Sequence, residues 1–341
     1  MPDLGIQRVV LLVDRERVRS KASVVSSRLL PNSEMEAYIA RALRELGYEV
    51  VIVAVRSGKQ LIATLTSVEP DVVFNTSEHL RGRCELDAYV AAILEVAGVP
   101  YTGATPGCLV LTRDKGWSKS IAGKVGVPAP DFAMIAPGKP LRFRSFPAVV
   151  KPAERDYSDG ISLRSFVRDR RELQARIELV SKRTADSYIV ESFVPGRDLY
   201  VFALQVGGAL KIRPAVTLEV NVAASDPRSM AVHSAKHDSS YRRRWGLQQS
   251  PAQLTREQTR RLHDYVRRLW PALQLRDYAR FDFRLDESGA MYFIEANANP
   301  GFSPASRCDM WTWPDYVAAV QAIVTNAARR TPKPYRKRAL T

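Results

Sequence analysis

Residues 278–301 read YARFDFRLDESGAMYFIEANANPG, and this stretch decides the fold. Its middle, residues 286–289, is rich in turn formers and separates two runs in which polar and apolar residues alternate. Alternation on both sides of a short turn predicts a β-hairpin. Because cross-strand partners share one face of a sheet, the register of this hairpin decides which side chains act together.

The shortest register pairs Leu285 with Ala290, and counting outward then pairs Asp282 with Phe293. Since side chains alternate between the two faces of a strand, this register separates a polar face from an apolar face. The polar face carries Arg280, Asp282, Glu295 and Asn297. The apolar face carries Phe281, Phe283, Leu285, Tyr292 and Ile294, which we expect to supply the core. A bulge would shift this register by one residue.

The polar face has the composition of a magnesium site. Two carboxylates and an amide oxygen are hard ligands, so Asp282, Glu295 and Asn297 are candidate metal ligands. Arg280 beside them is suited to stabilising negative charge that develops near the metal. The alternative is a solvated sheet face with cross-strand ion pairs. Residues 297–302, which read NANPGF, end the strand where ligands commonly bind and favour the functional interpretation.

Composition places the chain among globular proteins of about two to three domains. Of its 341 residues, 45% are hydrophobic and 26% are charged, which excludes collagen-like, low-complexity and disordered chains. Lys and Arg number 51 against 36 Asp and Glu, so the net charge is +15. Such an excess fits nucleic acid, a membrane surface or a small anionic substrate, and composition does not choose among them.

Cysteine usage and hydropathy indicate a compartment. Cys84, Cys108 and Cys308 are widely spaced and form no CxxC pair, which argues against a disulfide framework or a zinc site and fits a reducing compartment. The apolar run at 9–13 is too short for a signal-peptide core or a membrane span. We therefore expect a cytoplasmic protein with no membrane partner.

Strand and helix patterns alternate through the first hundred residues. We expect strands at 9–13, 50–53 and 72–74, and helices at 34–46 and 85–97. This alternation predicts βαβ units around a parallel sheet, and so a Rossmann-like N-terminal domain over 1–113. No GxGxxG follows the first strand, which disfavours a dinucleotide site.

The rest of the chain predicts a mixed α/β organisation. We expect strands at 148–151, 187–191, 199–206 and 215–220, and helices at 114–125, 170–180, 315–327 and after a capping box at Thr255 and Gln258. Residues 221–253 lack periodicity, which is typical of a functional lid or a disordered loop. We place domains at 114–197 and 198–330, followed by a basic, unpacked tail at 331–341.

Further short motifs follow one another along the chain. They are PYTG at 100–103, DK at 114–115, VPAP at 127–130, FPAVVKP at 146–152, GIS at 160–162 and ESFVPGRD at 191–198. With RFD at 280–282 and EANANPGF at 295–302, they resemble the ATP-grasp ligases, specifically the D-alanine–D-alanine ligase branch. The resemblance covers roughly residues 70–325. It implies an α/β (α+β) ATP-grasp fold, in which a Rossmann-like N-terminal domain joins two α+β subdomains that clasp ATP.

The resemblance implies an ATP site. The matching positions are Lys115, Lys151, Ser158, Gly160, Ile161, Glu191, Asp198 and Lys236. The lysines would hold the phosphates, with Lys236 on a mobile loop that closes over them. Glu191 would meet the adenine edge, and Asp198, where the family usually has Glu, would take the ribose hydroxyls. Without the resemblance, Lys115 is better explained as one more charged helix residue and Lys236 as a solvated loop lysine, whereas Lys151 closes an apolar strand and must reach a partner or water.

The resemblance also implies metal, catalytic and substrate residues. Asp282, Glu295 and Asn297 would bind two Mg²⁺ ions, with Mn²⁺ as an alternative ion and Glu295 bridging. Arg280 and Lys236 would be catalytic, Arg280 by stabilising an acyl phosphate and a tetrahedral intermediate. Substrate contacts would come from Arg280, Ser306, Arg307 and Glu16.

The implied reaction joins a carboxylate to an amine with ATP, through an acyl phosphate that a closing lid shields from water, and releases ADP and phosphate. The substrates would be small and amino-acid-like, and the family implies a homodimer. Three departures mark a divergent member: residues 14–21 are basic and lack glycine, the phosphate loop at 154–160 is charged, and Arg307 replaces an aliphatic residue. We therefore expect a peptide or amide ligase without fixing D-alanine as its substrate.

Two other functions stay open. A degenerate ATP-grasp protein would act as a binding or regulatory subunit, but every candidate metal ligand and Arg280 are present. A nucleic-acid-binding protein would cluster basic and aromatic residues, yet Lys and Arg are spread along the chain and concentrate only near the tail, so we expect no specific nucleic acid partner. Trp311 and Trp313 fit core or rim packing, and His79 fits a plain loop residue better than a substrate contact.

Overall fold

The computed structural model describes residues 4–15, 18, 25–26, 34–135, 141–154, 162–181, 187–219, 222–223, 226–227, 243–244, 246–304 and 311–330. Several predictions lie outside these ranges. They concern Glu16, Ser158, Gly160, Ile161, Lys236, Ser306, Arg307, Cys308 and the tail at 331–341.

The first sheet has four strands in the order β2-β3-β1-β4. They are β1 (Arg8–Asp14), β2 (Val25–Ser26), β3 (Glu49–Val55) and β4 (Val72–Asn75). β1 runs parallel to both β3 and β4, which confirms the predicted parallel pairing of these three strands, whereas the short β2 pairs antiparallel with β3. The helices of this region are α1 (Glu34–Glu45), α2 (Gly58–Val68) and α3 (Asp87–Val96), of which α2 was not predicted.

The second sheet is antiparallel, with strand order β5-β8-β6-β7. Helices α4 (Pro106–Arg113) and α5 (Lys115–Lys124) lead into it. The strands are β5 (Phe132–Ile135), β6 (Ala148–Pro152), β7 (Phe166–Val167) and β8 (Tyr188–Ser192), and α6 (Arg170–Ser181) precedes β8. α6 and residues of this sheet enclose a core of their own, around Val150, Leu173 and Val190.

The third sheet has six strands in the path β12-β11-β9-β13-β14, with β10 paired to β9. They are β9 (Arg197–Val206), β10 (Ala209–Ile212), β11 (Val216–Glu219), β12 (Gln248–Pro251), β13 (Tyr278–Leu285) and β14 (Met291–Asn297). The helices are α7 (Arg256–Ala272), which begins at the predicted capping box, and α8 (Trp313–Arg329). β12 lies within 221–253, where no strand was expected.

The hairpin of β13 and β14 forms, but the shortest register is wrong. Leu285 pairs with Met291 rather than Ala290, and beyond Phe283 the register shifts again, so that Asp282 pairs with Glu295. The residue left over is Ile294, which makes a bulge in β14.

The bulge corrects the predicted core face. Tyr292 and Ile294 are only half-buried, while Met291, Phe293 and Ala296 join the core. The predicted polar face survives, because both one-residue shifts fall on the β14 side of the hairpin, one at the turn and one at the bulge. Together they restore the alternation that places its four members on one face.

Two hydrophobic cores enclose the first sheet, one on each side. One joins it to α2, α3, α4, α5, α7 and the apolar side of the third sheet. The other joins it to α1, α8 and an aromatic group that includes Phe202, Phe302 and Trp311. Trp311 is buried and Trp313 packs against this second core, which confirms their predicted packing role. The first and third sheets therefore share their cores, whereas domain boundaries near 113 and 197 stay a prediction.

Two further findings concern the whole described chain. Cys84 and Cys108 are free thiols. Within the described ranges, every helix is too short or too polar to cross a lipid bilayer.

Candidate active site

The bulged hairpin brings four predicted site residues onto one side of the third sheet. We call Arg280, Asp282, Glu295 and Asn297 the polar hairpin face. The Arg280 guanidinium donates to both oxygens of the Asp282 carboxylate, from Nε to Oδ1 at 2.7 Å and from Nη2 to Oδ2 at 3.0 Å. Bidentate geometry of this kind fixes the orientation of both side chains. The ring of Tyr200 in β9 lies 5.6 Å from the same guanidinium.

Lys115 reaches this face from the first turn of α5. The helix is capped by Asp114, whose Oδ1 accepts a hydrogen bond from the Trp117 backbone N–H at 2.9 Å. The Lys115 side chain is only 2% exposed, and its Nζ lies 3.6 Å from Glu295 Oε2. A lysine predicted to bind phosphate therefore lies beside a carboxylate predicted to bind metal.

Glu191 is buried between two lysines, and we call Glu191, Lys119 and Lys151 the lysine–glutamate cluster. Lys151 Nζ lies 2.5 Å from Glu191 Oε1, and Lys119 Nζ lies 3.1 Å from Glu191 Oε2. Burial by itself raises the pKa of the Glu191 carboxyl, but the charges of Lys119 and Lys151 outweigh it and lower that pKa below its usual value. Lys151 was expected to reach either a partner or water, and the Glu191 carboxylate is that partner.

Sequence reasoning missed Lys119. Its fully buried ammonium also donates to the backbone oxygens of Phe293, at 3.3 Å, and Ile294, at 2.7 Å. One side chain thus ties Glu191 to the bulge in β14. Burial lowers the pKa of Lys119 to about 8. The signal in the sequence was spacing, because Lys115 and Lys119 are four residues apart and so share a helix face.

Asp198, predicted to meet the ribose, lies on β9 opposite Arg284 of β13. Arg284 Nη1 lies 3.1 Å from Asp198 Oδ1. Sequence reasoning missed this arginine as well. Its position was readable, because Arg284 follows Asp282 by two residues and strand alternation places both on the same face.

A further polar group lies at the carboxyl end of β1 in the first sheet. The buried Asp14 carboxylate accepts hydrogen bonds from Ser77 Oγ at 2.8 Å and from the His79 backbone N–H at 3.1 Å. His79 Nδ1 lies 3.2 Å from Asp14 Oδ2. Three potential metal-ligand atoms lie within 4.8 Å of one another here, one carboxylate oxygen each from Asp14 and Glu78 and one ring nitrogen from His79. His79 thus contacts a buried carboxylate, and the expectation that it makes no substrate contact stays a prediction.

The donor set of the polar hairpin face fits a divalent metal. Asp282 and Glu295 supply carboxylate oxygens and Asn297 an amide oxygen, which is the chemistry that Mg²⁺ prefers. The Asn297 Nδ2 is buried and makes no hydrogen bond to any described residue. No bond of that nitrogen therefore fixes the amide, and its oxygen is able to turn toward a cation.

Comparisons with known proteins identify the family. A family model described as D-ala D-ala ligase C-terminus matches residues 124–323. A D-alanine–D-alanine ligase of Aquifex aeolicus is 30% identical over 275 residues, which cover 80% of this chain and 86% of that protein. The chain belongs to the D-alanine–D-alanine ligase family. It is a divergent member, as the sequence resemblance predicted.

A relative of similar sequence identity has no assigned activity. An uncharacterized protein of Sinorhizobium fredii is 30% identical over 312 residues, covering 88% of this chain and 89% of its own length. Identity near 30% fixes the family and leaves the substrates to be argued from the site.

Solved structures confirm the fold. The D-alanine–D-alanine ligase of Bacillus anthracis complexed with ATP superposes with a TM-score of 0.68 at 21% identity, covering 95% of this chain and 98% of that one. An L-amino acid ligase of Bacillus licheniformis gives a TM-score of 0.65 at 18% identity, covering 95% of this chain and 75% of that one. Both are ATP-grasp proteins, so this D-alanine–D-alanine ligase-like chain has the ATP-grasp fold that was predicted.

Proposed function

We propose that this protein is an ATP-dependent carboxylate–amine ligase that joins two amino-acid-like substrates. The observation that carries the proposal is the assembly of cations and oxygen ligands around one site. Lys115 reaches from α5 to the polar hairpin face, and Lys119 of the same helix belongs to the lysine–glutamate cluster through its contact with Glu191. Family membership supports the reaction class, because the Aquifex aeolicus relative and the superposed Bacillus licheniformis protein are both named as ligases.

The ATP phosphates would bind among these lysines. In this structure Lys115 contacts the Glu295 carboxylate, and Lys151 contacts the Glu191 carboxylate. A triphosphate brings more negative charge than either carboxylate, so the two ammonium groups are suited to exchange or share partners when it binds. Glu191 would then stay anchored by Lys119, whose further bonds to backbone oxygens do not depend on the nucleotide.

A divalent metal would be held by Asp282, Glu295 and Asn297. When bound, it would neutralise charge on the phosphates of ATP. Arg280 is already fixed on Asp282 by two hydrogen bonds, so its guanidinium charge is pre-positioned beside the ligands. We propose that these three residues would hold two Mg²⁺ ions, with Glu295 as a ligand that both ions could use.

The reaction would proceed in two steps. An oxygen of the donor carboxylate attacks the γ-phosphorus, the bond to ADP breaks, and an acyl phosphate forms. The amine nitrogen then attacks the acyl carbon, inorganic phosphate leaves with the bonding electrons, and the amine proton passes to solvent or phosphate. The protein contributes positioning and charge stabilisation, and needs no nucleophilic side chain of its own.

The substrates would lie between the polar hairpin face and the end of the first sheet. Asp14, Glu78 and His79 gather negative and titratable groups there, which suits a substrate ammonium. We propose small amino-acid-like molecules as substrates and leave open whether they are D-alanine, because 14–21 depart from the pattern of the family.

The test measures release of ADP and phosphate with Mg·ATP and a panel of D- and L-amino acids, alone and in pairs. We expect turnover only with particular donors, and hydroxamate formation when hydroxylamine replaces the amine, since it traps an acyl phosphate. Glu295→Ala should lower kcat at least about a hundredfold by removing a metal ligand. Glu287→Ala, at an exposed position in the same hairpin, is the matched control and should retain activity.

Two outcomes would overturn the proposal in different ways. Mg·ATP binding without turnover on any pair would favour a degenerate protein that binds nucleotide as a regulatory subunit. Failure to bind Mg·ATP at all would remove the enzyme assignment. Turnover without hydroxamate would retain a ligase but reject the acyl phosphate.

A further inference from the structure

Arg284 makes a set of contacts that the proposed reaction does not use. Its side chain is 6% exposed, although it lies on the same side of β13 as Arg280 and Asp282. Besides the Asp198 carboxylate, it donates from Nε to the Val194 backbone oxygen at 3.1 Å and from Nη2 to the Gly196 backbone oxygen at 2.8 Å. One guanidinium therefore holds the segment that connects β8 to β9.

This connecting segment is packed closely against the end of β13. Gly196 has φ +140°, and a Cβ at this position would lie 2.1 Å from the Leu285 backbone oxygen. Any side chain there would push the two backbones apart. The segment 193–198 is therefore constrained twice, by contact with the backbone of β13 and by the fork of Arg284.

The contacts differ in character, and this difference suggests a role. The backbone oxygens of Val194 and Gly196 fix the course of the chain, whereas the Asp198 carboxylate has a side chain that could adopt other rotamers. A guanidinium that is already fixed by two backbone oxygens offers its remaining donors in one direction only. Arg284 therefore sets the direction in which the Asp198 carboxylate points.

We propose that Arg284 is a positioning residue for the nucleoside end of ATP, which orients Asp198 to accept hydrogen bonds from the ribose hydroxyls. This inference rests on the proposed function, because it takes ATP as the ligand, and it adds Asp198, the residue predicted from the sequence to meet the ribose, as the contact. Arg284 itself acts through Asp198. Its loss should therefore affect recognition of the ribose more than recognition of the phosphates.

The test compares Mg·ATP with Mg·2′,3′-dideoxy-ATP, which lacks both ribose hydroxyls, by calorimetric titration of the full chain. We expect the wild-type protein to bind ATP at least about tenfold more tightly, the effect of a hydrogen bond to a charged group. Arg284→Met should reduce this ratio of affinities to about one, mainly by weakening the binding of ATP. Arg284→Lys should fall between them, because an ammonium lacks the fork that contacts three acceptors.

Two further variants keep the test decisive. Asp198→Asn, which is nearly isosteric, should lose the same preference with Arg284 intact. Arg197→Met is the matched control, because Arg197 precedes Asp198 on the opposite side of β9 and donates to the Gln253 backbone oxygen instead. Its ATP preference should equal that of the wild-type protein. If Arg284→Met does not fold, Arg284→Lys and Asp198→Asn decide the question.

If the Arg284 variants bind ATP and the dideoxy nucleotide more weakly by the same factor, the inference is overturned and Arg284 is a structural residue only. An unchanged ratio in Asp198→Asn would overturn it as well. Failure of the wild-type protein to bind Mg·ATP is a different result, which removes the proposed function itself. Binding of ATP without preference over the dideoxy nucleotide would retain the proposed function and reject only this inference.

Discussion

Lys119 is the residue on which the electrostatics of the site depend most. Desolvation lowers its pKa from the usual 10.5 to about 8, although Glu191 opposes that shift. Between these two values the unfolded chain holds a proton that the folded chain has released. The contribution of Lys119 to the free energy of unfolding therefore increases with pH across this window.

The same titration predicts a pH dependence for nucleotide binding. As pH rises through about 8, Lys119 loses its proton and the lysine–glutamate cluster falls from a net charge of about +1 to zero. A triphosphate is then attracted less, so the KM for ATP should rise several-fold, roughly fivefold, between pH 7 and 9. Steady-state kinetics at saturating amino acids would measure it.

Two lysine variants on α5 make the test specific. Lys119→Met should have a high KM for ATP at pH 7 that no longer changes up to pH 9, because the titrating group is gone. Lys124→Met removes an exposed lysine from the same helix and should keep the wild-type rise. A rise that persists in Lys119→Met would assign the titration to another group.

At the scale of elements, α5 is the helix that brings both lysines to the site. Its N-cap is Asp114, directly before Lys115, so the cap and the site share one turn. Removing the cap in Asp114→Ala should cost about 1 kcal/mol of stability and raise the KM for ATP, because the first turn then frays around Lys115. Thermal unfolding and ATP titration would measure the two effects.

The matched variant is Asp114→Asn, which removes the charge but keeps a capping side chain. If the cap explains the effect, Asp114→Asn should retain most of the stability and affinity that Asp114→Ala loses. Equal losses in both variants would show that the negative charge of Asp114, rather than the cap, matters to α5.

The elements that the sequence predicted share one property, a strong local pattern. The apolar run of β1 and the capping box of α7 are readable without any partner. β12 is short and polar, and it pairs with β11 only through the tertiary fold. α2 was missed because its buried stripe is narrow, carried by Leu61, Thr64 and Leu65.

The candidate site was predictable in its chemistry and only partly in its geometry. The polar hairpin face followed from alternation, yet its pairing depended on the bulge at Ile294, which no residue type in β14 announces. Lys119 lies in a predicted helix and Arg284 in a predicted strand, but their importance arises from partners distant in sequence, Glu191 and Asp198. Long-range contacts of this kind have no local signature.

At the scale of the whole molecule, a buried aspartate connects distant parts of the chain. Asp277 is fully buried before β13 and accepts a hydrogen bond from the Gly103 backbone N–H at 2.7 Å. Arg330, at the end of α8, donates to the same carboxylate and to the Tyr101 backbone oxygen at 3.0 Å. The segment after α3, the third sheet and the last described helix thus meet at one ion pair.

Breaking this pair should destabilise the protein as a whole. Arg330→Met leaves the Asp277 carboxylate buried without its guanidinium partner, and such a loss costs about 2 kcal/mol once the partial exposure of Arg330 is allowed for. Arg329→Met, at the neighbouring exposed position, is the control and should change stability by less than about 0.5 kcal/mol. Urea unfolding would give both values.

The physical reason can be separated from simple loss of contacts by a second substitution. If the cost comes from an uncompensated buried charge, adding Asp277→Asn to Arg330→Met should restore part of the stability, because a neutral amide is cheaper to bury than a carboxylate. If the cost comes from lost packing between α8 and the segment at 101–103, the double variant should be less stable than either single one. A restored urea midpoint would therefore establish that charge neutralisation at Asp277 holds these parts of the chain together.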